Sequence, residues 1–136
     1  MKNVIIVDYG MGNIKSLYNS LKFLGYNPVF YSEKKNINSN IYILPGVGAF
    51  NQAMKLMEER NISNNLKNFV KNKNNLLLGI CLGMQLFFEE SSENLKTIGL
   101  GMIKGKVKKL SDNKNHILPN VGWFETNIKS DQAFDY

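Results

Sequence analysis

The chain is 136 residues long and 43% hydrophobic, which suits one modest soluble domain spanning residues 1–136. Its single cysteine excludes a disulfide framework and a cysteine zinc cluster, and it favours a reducing, cytoplasmic setting. The net charge of +6 comes from lysines scattered among asparagines, without the interleaved aromatic residues of a nucleic-acid surface. The apolar run at residues 4–7 is too short for a signal peptide or a membrane span. We therefore expect neither nucleic acid nor a membrane as a partner.

The first 80 residues alternate between predicted strands and predicted helices. Short apolar runs predict strands at residues 4–8, 28–31, 41–44 and 76–80. Apolar residues at helical spacing predict helices at residues 14–24, 53–57 and 62–70. Strands that alternate with helices and are apolar on both faces indicate an α/β fold, with a mostly parallel sheet and helices on both faces.

Glycine-rich loops follow three of the predicted strands, at residues 10–12, 46–48 and 79–83. Ligands of parallel α/β sheets bind beyond the carboxyl ends of the strands. Because these loops all follow such ends, we expect them to lie together at one edge of the sheet. The sequence therefore predicts a single active site there.

The third loop has the pattern of a nucleophile elbow. Cys81 lies between Gly79 and Gly83, after a predicted strand and before a helix predicted to run from Leu82 through Phe88. Such a turn crowds the residues two before and two after the nucleophile, exposes its side chain and directs a backbone N–H at the reacting oxygen. Cys81 is therefore the candidate nucleophile. The alternative is that Cys81 is an inert core residue, as lone intracellular cysteines often are.

After the elbow the pattern changes. Residues 99–105 and 107–110 are predicted to be extended and partly antiparallel, and residues 117–124 form an apolar stretch broken by Pro119 and Gly122.

The elbow motif, residues 79–85, resembles that of the class I glutamine amidotransferases. The resemblance narrows to the glutaminase subunit of imidazole glycerol phosphate synthase through further motifs in the same order, at residues 8–13, 45–50, 99–101 and 119–123. It spans nearly the whole chain. It implies a flavodoxin-like α/β fold that stops before its C-terminal strands.

The resemblance also implies a reaction. Cys81 would attack the side-chain amide of glutamine, forming a glutamyl thioester and releasing ammonia. The Leu82 N–H would be one donor of the oxyanion hole, and the second would come from Val47 after a local peptide rearrangement. Neither a cofactor nor a metal ion is implied.

Three more residues match family positions that hold the substrate: Gly46, Gln85 and Glu93. A carboxylate at position 93 would suit the ammonium group of glutamine. Without the resemblance, Gln85 could be an ordinary exposed helix residue and Glu93 part of a polar loop.

Asn13 and Trp123 match positions near the interface with a (β/α)-barrel synthase subunit, which receives the ammonia through a tunnel. The implied assembly is a heterodimer that serves histidine biosynthesis. Trp123 could instead be a core residue, since large aromatic residues in apolar stretches are usually buried.

Two departures from the family pattern affect this interpretation. Asn120 stands where the family usually has histidine, which leaves open a paralogue that aminates a surface-polysaccharide sugar. The family's His-Pro-Glu segment is missing, and His116, the only histidine, lies in a polar loop without that context. We therefore expect an N-terminal portion of a longer enzyme, inactive as it stands, or a non-catalytic partner-binding remnant.

A dinucleotide-binding domain is the remaining alternative. Gly10 and Gly12 follow the first predicted strand, and Glu33 lies near the end of the second, where a ribose-binding acid would fall. Lys15 replaces the third glycine of that motif, and the elbow at Cys81 would have no explanation.

Overall fold

The computed structural model describes residues 1–31, 38–110, 122–123 and 125. Its helices are α1 (Ile14–Phe23), α2 (Phe50–Glu59), α3 (Ile62–Phe69) and α4 (Leu82–Gln85). Its strands are β1 (Asn3–Ile6), β2 (Asn27–Phe30), β3 (Ile41–Leu44), β4 (Leu76–Gly79), β5 (Phe88–Ser91), β6 (Thr97–Ile98) and β7 (Ile103–Val107).

The first four strands form one sheet in the order β2-β1-β3-β4, and every neighbouring pair is parallel. In the register of the sheet, Ile6 pairs with Ile43, and Ile43 pairs with Leu78. All four strands therefore end at the same edge, and the predicted parallel α/β architecture is confirmed.

The two faces of this sheet carry different helices. Val4 and Ile6 of β1 pack with Ile43 and with Leu21 of α1. On the opposite face, Leu44 packs in a larger core with residues of α2 and α3 such as Met57. Because side chains alternate along a strand, these apolar runs can fill both cores at once.

The prediction that helices cover both faces of the sheet does not hold at β4, on the face of the sheet that packs against α1 elsewhere. Leu76, Leu78 and Ile80 form an apolar row on that face, and they are 59%, 49% and 40% exposed. Leu77, on the other face, packs against the larger core. Among the described residues, no helix covers this apolar row.

The chain after Cys81 differs from the predicted helix. Helix α4 has only four residues, and β5 begins at Phe88. The carbonyl of Leu86 accepts a hydrogen bond from Leu100 N, and the carbonyl of Phe87 accepts from Met102 N. These contacts with a later segment take the carbonyl groups that a longer helix would use, so tertiary pairing ends α4 after one turn.

The second sheet has the order β6-β5-β7. Strand β7 confirms extended backbone within the predicted segment at residues 99–105, but it is parallel to β5, so the antiparallel pairing predicted there is not found. The strand that is antiparallel to β5 is β6, which lies just before that segment. Most of the predicted apolar stretch at residues 117–124 lies outside the described residues.

Candidate active site

Cys81 occupies the turn between the end of β4 and the start of α4. Its backbone has φ 54° and ψ −117°, a conformation that L-residues rarely adopt, and its side chain is exposed. Strained backbone of this kind is kept where the surrounding structure enforces it, often at functional sites. The predicted turn between strand and helix is confirmed, and Cys81 is not a core residue. Its role as the nucleophile stays a prediction.

The two glycines flanking Cys81 are required by close packing. A Cβ on Gly79 would lie 2.5 Å from Met84 Cα, and one on Gly83 would lie 1.8 Å from the carbonyl oxygen of Leu44. Both neighbours are backbone atoms that cannot rotate away. Only glycine therefore fits at these two positions, which explains their spacing around Cys81.

The loops that follow β1, β3 and β4 meet at one edge, as predicted. A Cβ on Gly12 would lie 3.5 Å from Pro45 Cβ, and one on Gly48 would lie 2.8 Å from Met11 Cε. Cys81 opens into a cavity of about 270 Å³, called the Cys81 cavity below. It is lined by Asn13, Ser16, Leu17, Ser20, Pro45, Gly46, Val47, Ile80 and Cys81.

The two predicted oxyanion-hole residues flank this cysteine. Val47 lines the Cys81 cavity and is 53% exposed. Leu82 is buried and is the first residue of α4. Its N–H group therefore has no acceptor within the helix. Their assignment as donors stays a prediction.

Tyr9 is a site residue that sequence reasoning missed. Its side chain is fully buried, and its hydroxyl lies against Gly46 at the edge of the Cys81 cavity. Burial raises the pKa of Tyr9 to about 12, and the negative charge of a Cys81 thiolate adds to this shift. Tyr9 lies within the motif at residues 8–13, but nothing in that motif singles out its hydroxyl.

The predicted substrate residues are placed differently from one another. Gly46 lines the Cys81 cavity, whereas Gln85 and Glu93 are not among its lining residues. The Gln85 N–H donates to the Cys81 carbonyl across one turn of α4, and the side chain is partly buried. Glu93 is exposed beside Ser91, whose hydroxyl accepts a hydrogen bond from the Glu93 N–H. Their substrate roles stay predictions.

The two predicted interface residues lie in accessible positions. The Asn13 side chain accepts from Ser16 N and thereby caps α1, while Asn13 also lines the Cys81 cavity. Trp123 is fully exposed, at 104%, which does not support its alternative as a core residue. Asn120, His116 and Glu33 lie outside the described residues.

The described residues contain no group of three or more histidine, cysteine, aspartate or glutamate side chains that could hold a metal ion. None of the helices found there combines the length and the apolar composition needed to cross a membrane.

Comparison with known proteins now decides the family. Residues 5–130 match the family described as "Glutamine amidotransferase class-I". The chain belongs to this family. The dinucleotide-binding alternative is left without support, since the amidotransferase family accounts for nearly the whole chain.

Within the amidotransferase family, the chain is similar to proteins named imidazole glycerol phosphate synthase subunit HisH. It is 44% identical to that of Prochlorococcus marinus, covering 92% of this chain and 58% of the relative. It is 44% identical to that of Caldanaerobacter subterraneus subsp. tengcongensis, covering 95% and 63%, and 46% identical to that of Bacillus cereus, covering 90% and 57%. The chain thus spans about three fifths of these curated relatives.

A solved structure gives the same fold. A crystal structure described as a glutamine amidotransferase superposes with a TM-score of 0.63 at 23% sequence identity, covering 76% of this chain and 55% of the other. This likeness confirms the flavodoxin-like α/β amidotransferase fold.

Proposed function

We propose that this chain carries the nucleophile half of a glutaminase that supplies ammonia for imidazole glycerol phosphate synthesis, a step of histidine biosynthesis. The observation that carries the proposal is the exposed Cys81, held at a strained elbow in a cavity shared with Gly46 and Val47. The names of the HisH relatives support the choice of product.

The chemistry follows from this arrangement. The Cys81 sulfur attacks the side-chain amide carbon of L-glutamine, a C–S bond forms, and the C–N bond breaks as the leaving nitrogen takes a proton and departs as ammonia. Water then hydrolyses the glutamyl thioester to glutamate. The Leu82 and Val47 N–H groups would stabilise the negative oxygen in both steps, and Gln85 and Glu93 would hold the amino-acid end of the substrate.

The base that accepts the thiol proton is proposed to lie outside the described residues, in a family His-Pro-Glu segment. The exposed apolar row on β4, made of Leu76, Leu78 and Ile80, is the surface on which we propose that such a segment packs, because exposed apolar rows mark contact surfaces. We propose that additional residues, as in the longer relatives, cover this row and bring the base to Cys81.

The ammonia is proposed to pass into a (β/α)-barrel synthase subunit, with which this protein forms a cytoplasmic heterodimer acting as a lyase. The word "subunit" in the names of the relatives supports a partner. Asn13 lines the Cys81 cavity and Trp123 is exposed, so both are available for such an interface.

The test uses the full-length protein combined with its synthase partner. Cys81→Ala should abolish release of glutamate from glutamine but leave ammonia-dependent synthesis by the partner unchanged. Ser92→Ala, on the exposed segment after β5, is the control and should keep both activities. Normal glutamate release by Cys81→Ala would overturn the proposed function, and a synthase that makes another aminated product would redirect it.

A further inference from the structure

The hydroxyl of Tyr9 is a buried polar group near Cys81 whose hydrogen-bonding capacity is unused within the part of the chain that the structure describes. Tyr9 follows β1, and its ring packs in the larger core with Leu44, Phe50 and Leu82. The side chain is 0% exposed, and its hydroxyl oxygen has no hydrogen-bond partner among the described residues. A buried hydroxyl without a partner is costly, so such groups call for an explanation in function.

This hydroxyl is directed at the loop that should supply the second oxyanion donor. A Cβ on Gly46 would lie 2.4 Å from the Tyr9 oxygen, so the hydroxyl fills the space of the missing side chain. The Cβ built on Gly46 would also lie 2.9 Å from Gly83 N and 3.0 Å from Leu82 Cβ. Tyr9 therefore contacts the Gly46 backbone from the buried side, beside the start of α4.

We propose that Tyr9 is a positioning residue for the oxyanion hole: its hydroxyl donates a hydrogen bond to the Gly46 carbonyl oxygen when the Gly46–Val47 peptide turns its N–H toward the substrate. This inference rests on the proposed function, in which Val47 N–H is an oxyanion donor.

The geometry of a peptide explains why the hydroxyl can act in this way. The C=O and N–H of one peptide point in opposite directions, so a Val47 N–H directed into the Cys81 cavity directs the Gly46 C=O away from it. That carbonyl would need a buried donor, and the Tyr9 hydroxyl would need a buried acceptor. One hydrogen bond satisfies both groups, and it forms only in the orientation that completes the oxyanion hole.

The protonation of Tyr9 is compatible with this role. Its pKa, raised to about 12 by burial and then by the Cys81 charge, keeps the O–H proton in place at neutral pH. The hydroxyl therefore remains a donor and does not compete with Cys81 for a proton.

The test compares Tyr9→Phe with wild type in the full-length protein bound to its synthase partner. Removing the hydroxyl should lower kcat for glutamine hydrolysis roughly tenfold, the rate effect of one net hydrogen bond, and leave KM unchanged. Tyr42→Phe is the matched control, because Tyr42 packs against the same core but stacks on Phe69, away from the cavity. Its kcat should equal that of wild type.

Two more measurements separate positioning from other roles. Alkylation of Cys81 by iodoacetamide needs no oxyanion hole, so its rate should be the same in Tyr9→Phe and wild type. The melting temperature of Tyr9→Phe should be equal or higher, because a buried hydroxyl without a partner is removed.

Several outcomes would overturn the role of Tyr9. They are a kcat within twofold of wild type, a parallel loss of alkylation rate, and a lowered melting temperature. A wild-type protein without glutaminase activity would overturn the proposed function and this inference together. An active wild type with an equally active Tyr9→Phe would overturn only the inference.

Discussion

Gly83 lies directly against the carbonyl group of Leu44, so the first turn of α4 touches the end of β3 with no side chain between them. A Cβ at position 83 would be 1.8 Å from the Leu44 oxygen and 3.2 Å from the carbonyl carbon of Pro45. This contact ties the turn that carries Cys81 to the loop that carries Val47. The position of Cys81 relative to the proposed oxyanion donor Val47 therefore depends on a glycine that performs no chemistry.

Gly83→Ala should destabilise the protein by about 3 kcal/mol, at the upper end of the usual cost of overpacking, because the new methyl group meets backbone atoms. Urea denaturation measures the change in the free energy of unfolding. Gly25→Asn is the control: Gly25 follows α1 with φ 83°, nothing lies within 4 Å of an added Cβ, and asparagine tolerates this backbone conformation. Equal stability of Gly83→Ala and the control would contradict the proposed packing.

The backbone strain at Cys81 predicts the order of stability of two variants. Cys81→Gly should be more stable than Cys81→Ala by about 1 kcal/mol, because glycine adopts φ 54° without the penalty of a Cβ. Chemical denaturation of the two variants measures the difference. Glycine is also better than alanine at an ordinary N-cap, the position that Cys81 holds in α4, and the strain adds to that preference. Finding alanine the more stable residue here would show that the turn is relaxed.

Glu90 and Lys106 give a prediction about pH. The Lys106 ammonium, 2.7 Å from the Glu90 carboxylate, holds the pKa of Glu90 below its ordinary value by hydrogen bonding and charge, and the pKa of Lys106 is raised by the same pair. The stability from Glu90 is thus present above its unfolded pKa and lost as pH falls through its folded pKa. The stability from Lys106 is present below its unfolded pKa and lost as pH rises through its folded pKa.

Lys106→Met should therefore raise the pKa of Glu90, measured by carbon-detected NMR titration. The free energy of unfolding of Lys106→Met should differ from that of wild type most at neutral pH. The difference should vanish in acid, where Glu90 is protonated in both proteins. Lys96→Met is the matched control, with a smaller expected shift because Lys96 lies 3.6 Å from Glu90. A larger shift in Lys96→Met would contradict the assigned pairing.

The apolar row on β4 predicts that Leu78→Ala costs less stability in the 136-residue chain than in a full-length protein. Leu78 is 49% exposed, so Leu78→Ala should cost less than about 1 kcal/mol in the 136-residue chain. In a full-length protein that covers the row, the same change should cost about 2–3 kcal/mol, as for a buried leucine. Equal costs, measured by denaturation of both chains, would show that the row stays exposed.

The elbow could be predicted from the sequence because its requirements are local. Gly79 and Gly83 flank Cys81 at fixed offsets, and the strand before them is a short apolar run. The convergence of the three loops also followed from local patterns, since parallel strands end at one edge.

Features that depend on contacts between distant residues could not be predicted. Helix α4 ends early because the carbonyls of Leu86 and Phe87 accept hydrogen bonds from residues beyond Gly99. The importance of Tyr9 depends on Gly46, which is far from it in sequence. The apolar sequence of β4 likewise predicts that both of its faces are buried. It does not predict that, among the described residues, no helix covers the face with Leu76, Leu78 and Ile80.

A thioester between the Cys81 sulfur and glutamine is tested most directly by mass spectrometry of the full-length protein with its partner, acid-quenched during turnover of glutamine. We expect a glutamyl adduct on the peptide containing Cys81, absent in Cys81→Ala. Steady glutamine hydrolysis without such an adduct, or with the adduct on another residue, would contradict a thioester at Cys81.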